Sequence, residues 1–354
     1  MPNDVIAGVR IAGISAAVPA KKEGQKELAE LFGERDARRL VEGTGIIERR
    51  VDGRLCTSDL CQAAADRLIS ELGWDRNSIN YLILVTQTPD YVLPSTACIL
   101  QDKLGLPTTC TAFDINLGCS GFVYGLRIVG KLLMPGQRAL LLAGDTSASW
   151  YAHRHDDRST AALFGDAGSA AALECQGGDG ECTPLWFVGG TDGSGYRNII
   201  VEKGQFRGRS GGFEADTTSE VQEPLDPQRF VRMNGPEVFA FAIREVPLLL
   251  GRTLELAGWS VDEVDDFILH QANKMMLGVI ADKVGIPREK MPLSIEMFGN
   301  TSSASIPLTM VTKCRDVLVA GRRRQVIAGF GVGWSWAAMA LETSGIVVPS
   351  LIEL

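Results

Sequence analysis

The 354-residue chain lacks the features that direct a protein to a membrane, a nucleic acid or a metal. No apolar run approaches the roughly eighteen residues of a membrane-spanning helix, and the first ten residues lack a signal-peptide pattern. The net charge is −8, and no basic stripe is available to neutralise phosphates. Three histidines, and eight cysteines without a CxxC pair, do not predict a metal cluster. We therefore expect a cytoplasmic protein with no metal, no membrane insertion and no nucleic-acid partner.

What the chain does contain is a cysteine at a predicted strand-to-helix corner. Residues 110–115 form an apolar run typical of a short buried strand, and residues 122–133 carry apolar side chains at helical spacing. Cys119 lies between them, flanked by glycines that allow close backbone approach. Near a helix N-terminus, unpaired N–H groups favour an anion, so we expect a lowered pKa for this thiol. The other seven cysteines are expected to be inert core residues.

Strands alternate with helices along the whole sequence, which predicts an α/β architecture. The predicted strands cover residues 5–16, 46–51, 81–86, 139–144 and 161–174. The predicted helices cover residues 25–31, 34–42, 58–72 with Ser58 as N-cap, 94–104, and 236–257 with Gly258 just past its end. Residues 203–228 are glycine-rich and polar, which is typical of a surface loop.

A self-comparison indicates an internal duplication. The matched segments, in chain order, are residues 73–84 with 258–269, 118–119 with 299–300, and 172–174 with 340–342. In the first copy, residues 118–119 follow a predicted apolar strand. Residues 293–298, which precede the matching residues 299–300, are therefore also predicted to be a strand. We interpret residues 1–180 and 181–354 as two related halves. Equivalent strand ends would bring Cys119, His270 and Asn300 to one central site, because ligands bind outside the carboxyl ends of strands in open α/β sheets.

Three segments favour catalysis at that site. His270 ends the predicted strand 267–269, and Asn300 opens a polar run that by itself would be an ordinary helix cap. Residues 329–333, Gly-Phe-Gly-Val-Gly, form a glycine turn able to aim backbone N–H groups at an oxyanion.

Taken together, these residues resemble the thiolase superfamily, and within it the ketoacyl synthase III branch of initiating condensing enzymes. The resemblance covers nearly the whole chain. It is carried by Thr44-Gly45-Ile46 with Glu48-Arg49-Arg50, the Cys119 corner with Gly121-Phe122, Asp157-Arg158, Phe164-Gly165-Asp166-Ala167-Gly168, Met233-Asn234-Gly235 with Glu237-Val238-Phe239, His270-Gln271-Ala272-Asn273, Gly299-Asn300-Thr301-Ser302 and the final glycine turn.

The resemblance implies a thiolase-like duplicated fold, with two similar βα halves packed as α-β-α-β-α layers, and a homodimer. It implies that Cys119 takes an acyl group from a thioester of coenzyme A (CoA) or acyl carrier protein (ACP). His270 and Asn300 would hold the carbonyl of malonyl-ACP or malonyl-CoA as CO2 leaves, and the enolate would attack the acyl-cysteine to give a 3-oxoacyl product. CoA and ACP thioesters are then substrates and ACP a partner, with no permanently bound cofactor.

The final glycine turn bears on the reaction type. By the resemblance, the backbone N–H groups of Cys119 and of Gly331, Val332 and Gly333 would hold the tetrahedral oxyanion. The turn has no cysteine, so the second acid/base thiol of a true thiolase is missing. This favours decarboxylative over reversible condensation.

The resemblance also implies substrate contacts for Arg158, which matches a CoA-binding arginine of the family, and for Asn273 and Phe330. Just ahead of Thr44, where well-known bacterial members place a tryptophan and an arginine, this chain has Arg39 and Gly43.

The resemblance also implies an aromatic residue that reaches into the partner's acyl pocket and gates it, and this chain has Leu93 at that position. Among the expected carrier-docking positions, Ala240 and Met275 are apolar while Lys274 and Lys283 are basic. These departures lead us to expect a longer or unusual acyl primer.

Two alternatives stay open. The first is an acyltransferase of the same superfamily that passes the Cys119-bound acyl group to an alcohol or amine, against which Asn300 argues because its role is tied to decarboxylation. The second is a non-catalytic subunit that binds acyl carriers, against which the complete set of Cys119, His270 and Asn300 argues.

Overall fold

The computed structural model describes residues 3–148, 160, 162–176, 183–203 and 230–354. The strands are β1 (Asn3–Ile6), β2 (Val9–Val18), β3 (Lys22–Gly24), β4 (Glu48–Arg50), β5 (Ile79–Val85), β6 (Thr111–Ile115), β7 (Arg138–Asp145), β8 (Ala167–Cys175), β9 (Leu185–Thr191), β10 (Ile199–Ile200), β11 (Arg232–Met233), β12 (Asp266–Leu269), β13 (Arg322–Gly331), β14 (Ser335–Ser344) and β15 (Ile352–Glu353). The α-helices are α1 (Gln25–Phe32), α2 (Glu34–Thr44), α3 (Thr57–Leu72), α4 (Thr96–Lys103), α5 (Gly121–Leu132), α6 (Gly235–Ala257), α7 (Lys274–Val284), α8 (Ile295–Phe298), α9 (Ser305–Lys313) and α10 (Arg315–Ala320). None of the helices in these ranges is long and apolar enough to span a membrane.

Two mixed sheets form the framework. The first has six strands in the order β15-β2-β8-β7-β5-β6, and the second has five in the order β1-β9-β14-β13-β12. In the first, β5 runs parallel to β6 and β7, and in the second β12 runs parallel to β13. The carboxyl ends of β6 and β12 each precede a residue predicted to be catalytic, Cys119 or His270.

The sheets and helices pack as five alternating layers. On β5, Leu82 and Leu84 pack with α3 and α4, whereas Ile83 and Val85 face the central layer of α5 and α9. This alternation follows from the two-residue period of a strand, and it buries both faces of the sheet. The second sheet shares the central layer and packs its other face on α6 and α7. The predicted thiolase-like α-β-α-β-α architecture is therefore confirmed.

Most predicted elements are present, with shifted ends. Helix α3 begins at Thr57 with Cys56 as its N-cap, so the predicted cap Ser58 lies inside the helix instead. The single predicted opening strand is divided into β1 and β2 because Gly8, with φ of 76°, turns the chain between them. The prediction of a strand at 293–298 is wrong, because Ile295–Phe298 is a single helical turn.

The first repeated segment has the same local structure in both copies. Helices α3 and α6 end at Gly73 and Gly258, whose φ values are 62° and 69°. Each glycine is followed by a short 3₁₀ turn and then by β5 or β12. The N-terminal strand β1 nevertheless joins the second sheet, and the C-terminal strand β15 joins the first. The division into halves at residue 180 stays a proposal.

The cysteines do not all follow the expectation of burial. Cys61, Cys110, Cys175 and Cys314 are buried, but Cys56 and Cys98 are exposed. The eighth, Cys182, and nearly all of the predicted surface loop at 203–228 lie outside the described residues.

Candidate functional site

Cys119 lies in the turn between β6 and α5, directly before the N-cap residue Ser120. Two glycines of β13 make room for this turn. A Cβ atom on Gly331 would lie 2.9 Å from the Cys119 sulfur, and one on Gly329 would lie 2.4 Å from the Cys119 carbonyl oxygen. The glycine turn therefore does more than aim N–H groups, because its strand must approach the nucleophile turn closely.

The electrostatic environment of the thiol differs from the expectation. Burial raises the pKa of Cys119 to about 12, and the nearby Asp145 carboxylate acts in the same direction. Hydrogen bonds from the backbone N–H groups of Val332 and Cys119, and one with the Ser302 side chain, lower the pKa by less. The prediction of a lowered pKa is therefore wrong in direction, because withdrawal from water outweighs the donors around the sulfur.

His270 follows β12 and is 1% exposed. Its backbone N–H donates to the carbonyl of Ala328 at 2.8 Å, which fixes this residue against β13. Its ring packs edge-on against the Phe330 ring, with 5.7 Å between the ring centroids. Its Nδ1 lies 2.7 Å from the Ser305 hydroxyl. Burial lowers the pKa of His270 to about 3, so the imidazole is neutral at physiological pH.

Asn300 is fixed by its backbone and its side chain. Its N–H donates to Leu163 at 2.9 Å, and its carbonyl accepts from the N–H of Gly165 at 3.1 Å. Its Oδ1 accepts the N–H of Ser302 at 2.9 Å. The amide oxygen accepts this bond, and the other end of the amide, Nδ2, is a hydrogen-bond donor.

Cys119, His270 and Asn300 line one cavity of about 1310 Å³. Cys119 comes from the segment after β6, and His270 and Asn300 come from the segments after β12 and α8. A thiol, a neutral imidazole and an amide donor around one cavity can form a covalent acyl intermediate and polarise a carbonyl.

The other predicted site residues divide into three groups. Those that line the cavity are Asn273, Phe330, Gly331 and Val332. Those described residues that do not line it are Arg39, Leu93 and Gly333. Arg158 lies outside the described residues.

Asn273 also has a structural role, because its Oδ1 accepts the N–H groups of Met275 and Met276 and caps α7. Gly333 has a φ of 141°, a conformation that favours glycine, and it lies between β13 and β14.

Sequence reasoning missed three polar residues that support the site: Asp145, Ser302 and Ser305. In the sequence, the run 300–305 indicates Asn300, a helix cap and, up to Ser302, the family resemblance, but it does not show what its serines contact. Two of its serines contact different site residues: the Ser302 side chain lies at Cys119, and the Ser305 hydroxyl contacts His270. Asp145 gave no sequence signal, because it is simply the last residue of an apolar strand.

Comparison with known proteins decides the family. Residues 113–193 match the family model for 3-oxoacyl-[acyl-carrier-protein] synthase III, and residues 254–343 match the model for its C-terminal region. A beta-ketoacyl-[acyl-carrier-protein] synthase III of Lactococcus lactis subsp. cremoris is 33% identical over 310 residues, which cover 84% of this chain and 88% of the relative. The chain belongs to the beta-ketoacyl-[acyl-carrier-protein] synthase III family.

Other synthases of the family agree over the full length. The Prochlorococcus marinus relative is 34% identical over 341 residues, covering 96% of this chain and 97% of its own. The crystal structure of a 3-oxoacyl-(acyl-carrier protein) synthase from Burkholderia xenovorans is 39% identical, with a TM-score of 0.91 over 100% of this chain and 99% of that chain. The chain is therefore a condensing acyltransferase of the synthase III type.

Proposed function

We propose that this synthase performs two half-reactions on one cysteine. In the first, the Cys119 sulfur attacks an acyl thioester, the acyl group moves to the cysteine, and the thiol proton leaves with the released thiol. In the second, a malonyl thioester loses CO2, its enolate attacks the acyl-cysteine, and a 3-oxoacyl thioester is released as the cysteine sulfur takes up a proton. The observation that carries the proposal is the meeting of Cys119, His270 and Asn300 on one cavity.

The acylation step would rely on donors at the sulfur. The N–H groups of Cys119 and Val332 both point to the Cys119 sulfur. A carbonyl that reacts there would place its developing oxyanion beside these donors, which supports the oxyanion role of Cys119 and, within the turn, of Val332. The raised pKa means that Cys119 rests as the protonated thiol, so its proton is lost during the acylation step.

The condensation step would rely on neutral donors. His270 is uncharged, and the Ser305 hydroxyl at 2.7 Å can donate to Nδ1, which would place the ring proton on Nε2. Asn300 has its Oδ1 bound to Ser302 and offers Nδ2. Two neutral donors stabilise an enolate without an acidic proton that would quench it.

The proposed substrates are an acyl-CoA or acyl-ACP primer and a malonyl thioester, with no permanently bound cofactor. Members of the lining share an apolar character that suits a longer acyl chain: Ile199, Val238, Phe239, Phe241, Met275 and Met276. A cavity of about 1310 Å³ exceeds the usual upper size of roughly 1,000 Å³ for small-molecule pockets. We propose a primer longer than acetyl on this basis, and we place the reaction in the cytoplasm with the carrier-bound substrates.

The proposed partners are ACP and a second copy of the chain. Strand β6 is an edge of the six-stranded sheet, and β-sheet edges leave hydrogen-bonding groups for another strand. The neighbouring loop exposes Tyr91, Val92 and Leu93, with 62, 59 and 77% of their surfaces accessible. Together these features suit a homodimer interface.

The experiment for this proposal is intact-mass spectrometry with a panel of acyl-CoA donors from acetyl upwards. We expect one acyl adduct on the wild type, none on Cys119→Ala, and the largest adduct yield with a primer longer than acetyl. Strict preference for acetyl-CoA would overturn the primer assignment. Transfer of the adduct to an alcohol or amine, without response to malonyl-ACP, would identify an acyltransferase instead. Absence of any adduct with acyl-CoA and acyl-ACP donors alike would overturn the role proposed for Cys119.

A further inference from the structure

Asp145, the last residue of β7, is fully buried behind the site and does not line the cavity. Its Oδ1 accepts hydrogen bonds from the segment that follows β5. The donors are the N–H of Gln87 at 2.7 Å and the hydroxyls of Thr86 and Thr88 at 3.2 and 3.3 Å. Thr88 is in turn 2.8 Å from the Thr57 hydroxyl, so this side of the carboxylate is anchored in the first sheet and α3.

The other carboxylate oxygen of Asp145 binds residues 300–305, the segment that contains Asn300 and contacts His270. Oδ2 accepts the N–H and the hydroxyl of Ser303, at 3.1 and 2.7 Å. These two residues are 158 positions apart in the chain. Asp145 therefore joins the strand ends of the first sheet to residues 300–305.

That second segment determines where both donors lie. Asn300 is oriented by the N–H of Ser302, and His270 is oriented by the hydroxyl of Ser305. Ser303 lies between these two serines and is held by Asp145. A displacement at Ser303 would move both orienting contacts at once. Cys119 contacts this segment through the Ser302 side chain, but its backbone belongs to the turn that leads into α5 and packs against the glycines of β13.

We propose that Asp145 is a positioning residue for the condensation half-reaction. By accepting both hydrogen bonds from Ser303, its carboxylate fixes residues 300–305, so that Asn300 and His270 can reach the carbonyl of a malonyl thioester while its enolate carbon faces the acyl group on Cys119. This proposal rests on the proposed function, since it assigns a support to the donors named there. A misplacement of about 1 Å can cost on the order of 100-fold in rate, so a clamp of this kind has a measurable effect.

The test separates the two half-reactions of the purified full-length chain. Cys119 is first acylated with the preferred acyl-CoA and the donor is removed. Malonyl-ACP is then added at saturation, and the loss of the adduct and the release of CO2 are followed over a single turnover. The variant Asp145→Asn keeps the size of the side chain but cannot accept on both of its ends. We expect its condensation rate to fall by roughly 10- to 100-fold, while its acylation rate falls by no more than about threefold.

Two further variants keep the test decisive. Ser303→Ala removes one donor to the clamp, and we expect a smaller selective loss of condensation even if Asp145→Asn fails to fold. Asp266→Asn is the matched control, because Asp266 is a buried carboxylate that pairs with Arg323 away from the cavity. It should alter thermal stability without changing the ratio of the two rates.

Equal losses in both half-reactions, or an unchanged condensation rate in Ser303→Ala and Asp145→Asn, would overturn the positioning role. If the wild type itself neither forms an adduct nor releases CO2, the proposed function fails and this role fails with it.

Discussion

The sulfur of Cys119 is under two opposing influences, burial beside Asp145 and a set of hydrogen-bond donors. Burial dominates, so the resting group is a protonated thiol, and His270, which lines the same cavity, is a neutral imidazole. The resting site therefore carries no thiolate–imidazolium pair. The predicted identity of the nucleophile came from its glycine-flanked corner, whereas its pKa depends on groups from distant segments that no local pattern reveals.

The raised pKa predicts how alkylation depends on pH. Because the thiol is the stable form up to pH about 12, the thiolate fraction should rise about tenfold for each pH unit between 7 and 10. The rate of Cys119 alkylation by iodoacetamide, followed by mass spectrometry of the peptide that contains Cys119, should rise in parallel. The exposed Cys56 and Cys98 give internal controls once peptides are resolved. A plateau for Cys119 below pH 9 would contradict this description of the site.

The contact between His270 and Ser305 predicts a selective mutant. Ser305→Ala removes the hydroxyl that lies 2.7 Å from Nδ1, so the ring loses the group that orients it and sets its tautomer. We expect condensation on pre-acylated enzyme to slow by about tenfold, with acylation little changed.

Thr312→Ala is the control for that variant. Thr312 lies on the same helix α9 and its hydroxyl donates to the carbonyl of Leu308, away from the site. A similar loss of condensation in both variants would show that the helix, and not the contact with His270, is responsible.

At the scale of elements, the sequence predicts the helices and strands that have clear local patterns and fails where a short segment fits more than one structure. Helix α6 and strand β12 were predicted from spacing and from Gly258, and both are present. The failure at Ile295–Phe298 has a physical reason, because a short apolar run fits a buried helical turn as well as a strand. In the second sheet β12 is the last strand, so residues 295–298 do not pair with it as a further strand.

The close approach of β13 to the nucleophile turn makes a prediction about glycine. A Cβ at Gly331 would lie 2.9 Å from both the Cβ and the sulfur of Cys119. We expect Gly331→Ala to displace the sulfur and to slow acylation by about tenfold or more, as measured by the rate of adduct formation.

Gly321→Ala is the matched control, because Gly321 directly precedes β13 and a Cβ there meets nothing within 4 Å. It should acylate at the wild-type rate. An equally fast Gly331→Ala would mean that the site tolerates the added methyl group and that the close approach has no catalytic consequence.

At the scale of the molecule, the family resemblance predicts the five layers, and the duplicated pattern predicts the meeting of residues from both sheets at one cavity. It did not anticipate that β1 and β15 cross to the opposite sheets, because strands of two to four residues carry too little periodicity to assign partners. Nor did it anticipate Asp145, whose partners lie 58 and 158 positions away. Such contacts depend on how the whole chain folds, and a linear pattern does not contain them.

The position of β6 at the edge of its sheet, beside the exposed loop of Tyr91, Val92 and Leu93, leads to a prediction about assembly. Sedimentation equilibrium at micromolar concentration should give twice the 38.1 kDa chain mass. Leu93→Asp, which places a charge on the exposed loop, should weaken association through the cost of burying that charge. A monomer mass for the wild type would contradict the proposed homodimer.

The most direct measurement of the central claim is a single-turnover discharge experiment on the wild type, His270→Ala and Asn300→Ala. Each protein is acylated on Cys119, freed of donor and mixed with malonyl-ACP, and intact mass and CO2 are followed together. Our account predicts that all three proteins form the adduct, and that only the wild type discharges it rapidly with one CO2 per adduct. Discharge by the two variants at the wild-type rate, or discharge by the wild type without CO2, would contradict it.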